Sequence, residues 1–492
     1  MKKTLFKLIT TSLVCTAVFG FIGCSDMLSK FDSIQWGATY TVRHLLQDLN
    51  RDGNDVAAGR YTEDTYEREI LASTAPNTPS EAKAKEIPGF TAQPFEQVIV
   101  NGDGSTTIDI KYNRNEVTLT FNPNGGYFLV EDGNNSKQSD QPIEITQVYG
   151  TTVSLPKPRF DSDESIKVSL YNLVPVSGST KLNASSDDMF IKFPVPPTSG
   201  TYRALWDFST SIDNFSNALE KMPTSGGKVT LTGSGDDFSG ISSALKDSDK
   251  TGIELDLADL TINEEKTLII GSDEDTQTYN KFFNNIDTLT KITLPTEGKV
   301  KLGYGAFAQC SNLESITIGS NVDVLHGGAF WGSTKLHFEV DSNHQSLVAT
   351  SDGTALLRKK QGEAGKIEYS LVSYPTASGN INLGKLGFTI TVIEEDALAL
   401  LPDGNTTITF PATVKVIGPY ADYQIDQGAH LTIIMEGTEP AELPGEGVNP
   451  CSTFGTEVHI YVPDESVDTY KAASEWSKYA ANIYPMSKYG SH

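Results

Sequence analysis

Residues 305–318 read Gly305-Ala306-Phe307-Ala308-Gln309-Cys310-Ser311-Asn312-Leu313-Glu314-Ser315-Ile316-Thr317-Ile318. Parts of this stretch recur at a nearly constant spacing. Gly305-Ala306-Phe307 returns as Gly328-Ala329-Phe330 after 23 residues, and Asn312-Leu313 is answered by Lys335-Leu336. Upstream, Ile292-Thr293-Leu294-Pro295 precedes Ile316-Thr317-Ile318-Gly319 by 24 residues. A divergent copy follows, with Val392-Ile393, Ala397-Leu398, Ile408-Thr409-Phe410-Pro411 and Val416-Ile417-Gly418.

One short apolar alternation per period of roughly 20–29 residues is the pattern of a leucine-rich-repeat solenoid. No such repeat can cover its own apolar face. Ile292 and Leu294 must therefore stack on Ile316 and Ile318, and these on Leu336 and Phe338. Phe307 and Phe330 fill the convex side, and Gly305 and Gly328 permit the bend before each aromatic. Lys291, Thr293, Ser315, Thr317, Lys335, His337, Thr407 and Thr409 then point outward together, as a candidate ligand-binding concave face.

The quoted stretch closely resembles the repeat of the BspA-like surface proteins. The segment from Phe338-Glu339-Val340-Asp341 through Ser351-Asp352-Gly353 to Tyr374-Pro375 resembles the strand-rich interruption of that family. Tyr461-Val462-Pro463, Val467-Asp468-Thr469-Tyr470-Lys471 and Trp476-Ser477-Lys478-Tyr479 resemble its closing cap, in which a helix covers the last open strand edge. The resemblance implies a bacterial cell-surface protein that binds host matrix proteins or glycans, with no catalytic residues to transfer.

Upstream the chain divides by pattern. Ile212, Phe215, Leu219 and Met222 follow helical spacing, and so do Phe238, Ile241 and Leu245 within Asp237–Asp247. Lys228–Thr232 and Ile253–Leu257 read as strands, with Val229 and Ile253 one period apart. Before Trp206, short alternating strands separated by Gly, Asn and Asp predict β modules. Gln97–Val100, the turn Asn101-Gly102-Asp103-Gly104 and Thr107–Tyr112 read as a hairpin, and Pro76–Glu86 as one short helix. Val117-Thr118-Leu119-Thr120-Phe121, Asn122-Pro123-Asn124-Gly125-Gly126 and Tyr202-Arg203-Ala204-Leu205-Trp206 resemble the Listeria–Bacteroides repeat, related to the internalin B-repeat. That family is a β-grasp spacer; where it carries Gly-Trp-Tyr, this chain has Val168-Ser169-Leu170-Tyr171. Tyr40-Thr41-Val42, Gly89-Phe90-Thr91 and Asp103-Gly104-Ser105-Thr106 resemble mucin-binding-protein-like repeats.

At the N-terminus Lys2, Lys3 and Lys7 precede an apolar run from Leu8 to Ile22 and then Gly23-Cys24-Ser25-Asp26. A basic start, an apolar core and a small residue before the cut make a secretory signal. Phe21-Ile22-Gly23-Cys24 resembles a bacterial lipobox, which implies acylation at Cys24 and anchoring through the lipid alone. The expected organisation is a signal peptide at 1–23, lipidated cysteine and tether at 24–37, a β-grasp-like module at 38–114 and an internalin B-repeat-like module at 115–206. An α/β N-terminal repeat or cap at 207–270 and a leucine-rich-repeat domain with its cap at 271–486 complete it. The fold class is mainly β, and the expected location is the cell surface, in the outer membrane.

The chain has 492 residues, 38 basic and 63 acidic, for a formal charge of -25. Without the first 23 residues, which hold three lysines and no acid, the charge is -28. So acidic a surface repels phosphate backbones and argues against nucleic-acid binding. There is no GxSxG, phosphate-binding glycine loop or informative Cys/His spacing, and no cofactor is expected. Asp48-x-Asn50-x-Asp52-Gly53 matches half of a calcium loop, but Gly59 stands where the bidentate Glu belongs. It reads as a polar turn and, at most, a weak Ca2+ candidate. His326, His337 and His344 lack any metal-ligand signature, so no metal is expected. Tyr304 and Trp331 are aromatic candidates for a sugar ring or a partner. A Cys310–Cys451 disulfide is left open. Adhesion to host proteins is the favoured reading; surface glycan capture and a structural envelope role remain alternatives.

Overall fold

The computed structural model describes residues 38–490, apart from 73–74, 133–134, 177, 235–237, 263–265, 274–277, 281–282, 363–364, 399–405, 420–430 and 445–457. The signal and lipobox, including Cys24, and Cys451 lie outside the described residues.

Strands β1 (Thr39–Leu49), β2 (Val56–Glu63), β3 (Glu69–Ala72), β4 (Phe90–Ala92) and β5 (Thr107–Arg114) form the first sheet. Its order is β2-β1-β5-β4, with β1 and β5 parallel at the centre and the flanking pairs antiparallel. Alternation in β1 and β5 turns Tyr40, Val42, Ile108, Ile110 and Tyr112 to one buried face. The helix expected at Pro76–Glu86 is absent. That segment is a turn at 76–77, one β-bridge at Pro79 and then irregular chain whose backbone groups are taken by side chains. Gln97 accepts from Ala82 N–H at 3.0 Å and donates to its carbonyl at 2.8 Å; the Tyr40 and Tyr112 hydroxyls accept from Glu81 and Lys85 N–H at 3.1 and 2.9 Å. Nor do Gln97–Val100 and β5 make a hairpin. Val98 and Val100 bond instead to Ser80 and Thr78, and β5 leaves to lie beside β1.

Only Asn115 separates β5 from β6 (Glu116–Asn122). With β7 (Ile143–Val148), β8 (Lys167–Pro175) and β9 (Gly200–Ser211), β6 repeats the same sheet plan. The order is β7-β6-β9-β8, again with a parallel central pair. Arg114 ties the two modules: its Nε donates to Gln47 O at 2.8 Å, its Nη1 to Tyr149 O at 3.1 Å, and its guanidinium lies over the Phe90 and Tyr149 rings.

β9 does not stop at Trp206. Its first residues pair with β6, and Asp207–Ser211 pair in parallel with β10 (Lys228–Ser234). The ladder continues through β11 (Ile253–Asp256), β12 (Leu289–Thr293), β13 (Ser315–Ile318) and β14 (His337–Val340), so one ten-stranded sheet runs from the second module into the repeats. Helices α1 (Phe215–Lys221) and α2 (Ser239–Asp247) bury Phe215, Leu219, Ile241 and Leu245 against its inner face. From residue 267 a second parallel ladder, Thr267–Asp273, Lys299–Leu302 and Val322–Val324, takes the place of helices.

The register adjusts two expectations. Val229 pairs with Leu255, not Ile253, and Ile316 stacks on Phe338 with Ile318 on Val340, because the last period is 22 residues. Gly305 has φ +72°, as the bend requires, but Gly328 does not; a Cβ there would meet Asp396 Oδ2 and the Tyr304 ring at 2.8 Å, so space is what fixes it.

An antiparallel meander, Leu347–Ala349, Leu356–Gln361 and Ile367–Ser373, interrupts the repeats and divides the apolar interior into two clusters. Parallel pairing resumes over Asn380–Asn382, Thr406–Phe410, Leu431–Met435, Val458–Val462 and Ile483–Pro485. Helix α3 (Val467–Ala472) packs against the last strand, Ile483–Pro485. It is the crossover between the last two strands, and buried Tyr470 and Trp476 fasten it to Gly437 O at 2.9 Å and Ala441 O at 2.7 Å. The edge itself is the three-residue strand Ile483–Pro485, short enough to offer little pairing surface.

Candidate ligand-binding face

The parallel ladder presents two outward rows across β9–β14. Strand alternation puts Val229, Leu255, Ile292 and Ile316 inside and leaves their neighbours facing out. The first row reads Asp207, Lys228, Glu254, Lys291, Ser315, His337; the second reads Ser209, Thr230, Asp256, Thr293, Thr317, Glu339. Charge alternates along the first four positions of the first row. Cross-strand neighbours in such rows lie close enough to pair.

Two networks hold the rows. In the first, Lys228 Nζ lies 2.8 Å from Asp256 Oδ2 and 3.3 Å from Asp207 Oδ2, and 5.1 Å from the Tyr171 ring centre. Thr230 Oγ1 donates to Asp207 at 2.8 Å. Burial works against the Lys228 ammonium, but the hydrogen bonds and charges of Asp256 and Asp207 outweigh it and raise its pKa. Burial also pushes the Glu254 carboxyl up, against the pull of Lys291, Lys228 and the Tyr171 hydroxyl. In the second network, Ser315 and Thr317 hydroxyls donate to the two oxygens of Glu339 at 2.9 and 3.0 Å, with Lys291 Nζ 3.9 Å away. The face carries four carboxylates against two ammonium groups. It is an acceptor-rich surface suited to basic and amide donors.

Of the residues expected on this face, Lys291, Thr293, Ser315, Thr317 and His337 are brought together here. Lys335 lies before β14, with Nζ on Asn312 Oδ1 at 2.8 Å. Thr407 and Thr409 belong to the separate five-stranded sheet, between Asn380 and Asn382 on one side and Thr432 and Ile434 on the other. Sequence reasoning missed Asp207, Lys228, Glu254, Asp256 and Glu339. The strands Lys228–Thr232 and Ile253–Leu257 were legible, and continuing the outward register through them would have found Lys228, Glu254 and Asp256. Tyr171, 45% exposed, needed the β8 register as well.

The aromatic candidates lie elsewhere. Tyr304 packs edge-on against His326 at 5.2 Å, and Trp331 is half-buried with its indole N–H enclosed. Cys310 is a buried free thiol whose Sγ lies 2.8 Å from Phe283 O; burial pushes its pKa to about 11. In the Asp48–Gly53 hairpin turn, Asp52 Oδ1 accepts from Asn54 N–H at 3.1 Å. His344 is buried, with Nε2 on Val322 O at 2.7 Å.

The parallel ladders make this part of the chain a solenoid with one polar strand face. Residues 265–349 match the family described as BspA type leucine rich repeat region, in 6 copies. The search of curated proteins finds no match. Among solved structures, a leucine rich cell surface protein from Faecalibacterium prausnitzii A2-165 matches at 15% identity. It covers 61% of this chain and 85% of its own, with a TM-score of 0.23.

Proposed function

We propose that this chain is a bacterial cell-surface lipoprotein, held in the outer membrane through acylated Cys24, that binds a host protein on the β9–β14 face. The observation that carries this reading is the pair of continuous outward rows, in which Lys228, Asp207, Asp256 and Glu339 are held by hydrogen bonds and ion pairs. Such a face has little ordering entropy left to lose on association. Its surplus of carboxylate matches a partner that presents lysine or arginine, and electrostatic fit of this kind steers encounter and selects partners. The BspA-type repeat over residues 265–349 supports display at the surface. The role is binding, without a catalytic step.

The test is interferometry of the purified chain against immobilised host matrix proteins, with D256N/E339Q beside the unaltered chain. Saturable binding that weakens in the double variant and with added salt supports the reading. Binding abolished by free oligosaccharide, or by W331A with the double variant unaffected, would replace it with glycan capture. Protease shaving of intact cells checks display: loss of the fragment containing Gly305–Phe330 places the repeats outside, and its protection until lysis removes adhesion.

A further inference from the structure

The two halves of the interrupted solenoid meet at His326, Glu395 and Asp396. His326 caps the turn Gly327–Phe330, whose residues belong to the first apolar cluster. Glu395 and Asp396 follow the strand Ile390–Ile393, which belongs to the second. One ligand atom from each of the three side chains lies within 4.8 Å of the others. His326 Nε2 stands 3.3 Å from Glu395 Oε2. Two ligands at about 2.0–2.1 Å from a tetrahedral ion are separated by about 3.3 Å, so this spacing already suits an edge of a coordination shell.

A second observation is independent of that convergence. The Asp396 side chain is 10% exposed and receives no hydrogen bond among the described residues; His326 Nδ1 lies 3.8 Å from its Oδ2. A buried carboxylate left so is costly unless a cation or a proton answers it. The backbone makes room for it: Gly328 has no side chain, and a Cβ there would lie 2.8 Å from Asp396 Oδ2.

We propose that His326, Glu395 and Asp396 form a binding site for a divalent transition ion of the zinc class, which ties the two halves of the solenoid together. One imidazole nitrogen with two carboxylates is a borderline-hard donor set that suits zinc and its neighbours, whereas calcium requires six to eight oxygens. In the structure His326 Nδ1 accepts from Gly328 N–H at 3.0 Å, which puts the ring proton on Nε2, toward Glu395. An ion at Nε2 displaces that proton to Nδ1, and the Gly328 contact is released. Asp396 turns in from the buried side, and water completes the shell.

The test uses the full chain, free of any tag and stripped with chelator, titrated calorimetrically with ZnCl2. One ion per chain is expected, with a higher Tm in zinc and no competition from excess CaCl2. D396N and H326A each weaken binding by about tenfold or more, while D140N, at an exposed carboxylate of the second module, leaves it unchanged. D396N keeps the shape of the side chain, and its near-ultraviolet dichroism identifies a folded variant. Stoichiometric zinc binding that survives both D396N and H326A would overturn the site. So would the absence of binding, or calcium binding as tight as zinc.

Discussion

The rings of Phe307 and Phe330 lie 6.1 Å apart and 6° from parallel, and Phe283 continues the stack 5.2 Å below Phe307 at 8°. All three are fully buried. The column joins successive repeats, so each ring fills a space that no single repeat closes. Phe307 is the middle ring of the three, so its loss opens the stack on both sides. F307A should therefore cost about 3–5 kcal/mol in urea unfolding. A loss below about 1 kcal/mol would show that the column is not what holds the repeats in register.

Gly327 and Gly240 should respond to alanine with opposite signs. A Cβ on Gly327 would lie 2.2 Å from Glu395 O and 2.5 Å from Val372 O, both backbone atoms that cannot swing aside. G327A forces the two solenoid halves apart and should cost about 1–3 kcal/mol. Gly240 lies within α2 with nothing within 4 Å of its added Cβ, so G240A should stabilise by up to about 1 kcal/mol. Thermal melts of the two variants, side by side, check both signs.

The reach of the sequence follows the same physics. Repeat strands were legible because inward Ile292, Ile316 and Ile318 are spaced by a fixed stacking distance, and Phe307 and Phe330 recur with them. Phe283 escaped notice because its period is longer: Leu255 to Ile292 spans 37 residues where the next step spans 24. The missing helix at Pro76–Glu86 was lost to Gln97 and Tyr112, distant side chains that satisfy its backbone. Asp207, Lys228, Glu254 and Asp256 of the candidate face were hidden because the outward register was started at Lys291 rather than at Asp207. Thr407 and Thr409 were grouped with it by pattern, but the meander at 347–373 moves them to another sheet.

Acid sensitivity should localise to Asp163, which joins the second module to α1. Lys221, the last residue of α1, bonds its Oδ2, and Ile166 and Ser165 N–H bond its Oδ1 at 2.7 and 2.8 Å. These contacts, that of Lys221 foremost, lower its pKa from 3.8 to about 2. The folded form thus binds a proton less readily than the unfolded one, so the contribution is whole above about pH 4 and is lost as pH falls toward about 2. The Tm difference between the chain and D163N should be constant near neutrality and close across that window. A difference that persists at pH 2 would locate the effect in the turn rather than in the charge.

Ser370 is a fully buried residue of the strand Ile367–Ser373, and its hydroxyl has no partner among the described residues. Deleting an unsatisfied polar atom removes a desolvation penalty without breaking a bond. S370A should be neutral or stabilise by up to about 1 kcal/mol in urea unfolding. Destabilisation beyond about 1 kcal/mol would reveal a hydrogen bond made in solution.

Lys228 decides whether the polar strand face is a preformed network or a set of independent surface charges. Its side chain is 18% exposed between Asp207 at 19% and Asp256 at 21%, so all three are largely withdrawn from water. K228M keeps the stem and removes the ammonium, leaving two half-buried carboxylates to face each other across the gap. The expected cost is about 1–3 kcal/mol, well above the value of an exposed pair. K228M/D256N should recover part of it, because the second change removes one of the stranded charges. The double-mutant cycle reads the coupling directly. Additive losses would mean that the row is not coupled, and that a partner must order these side chains when it binds.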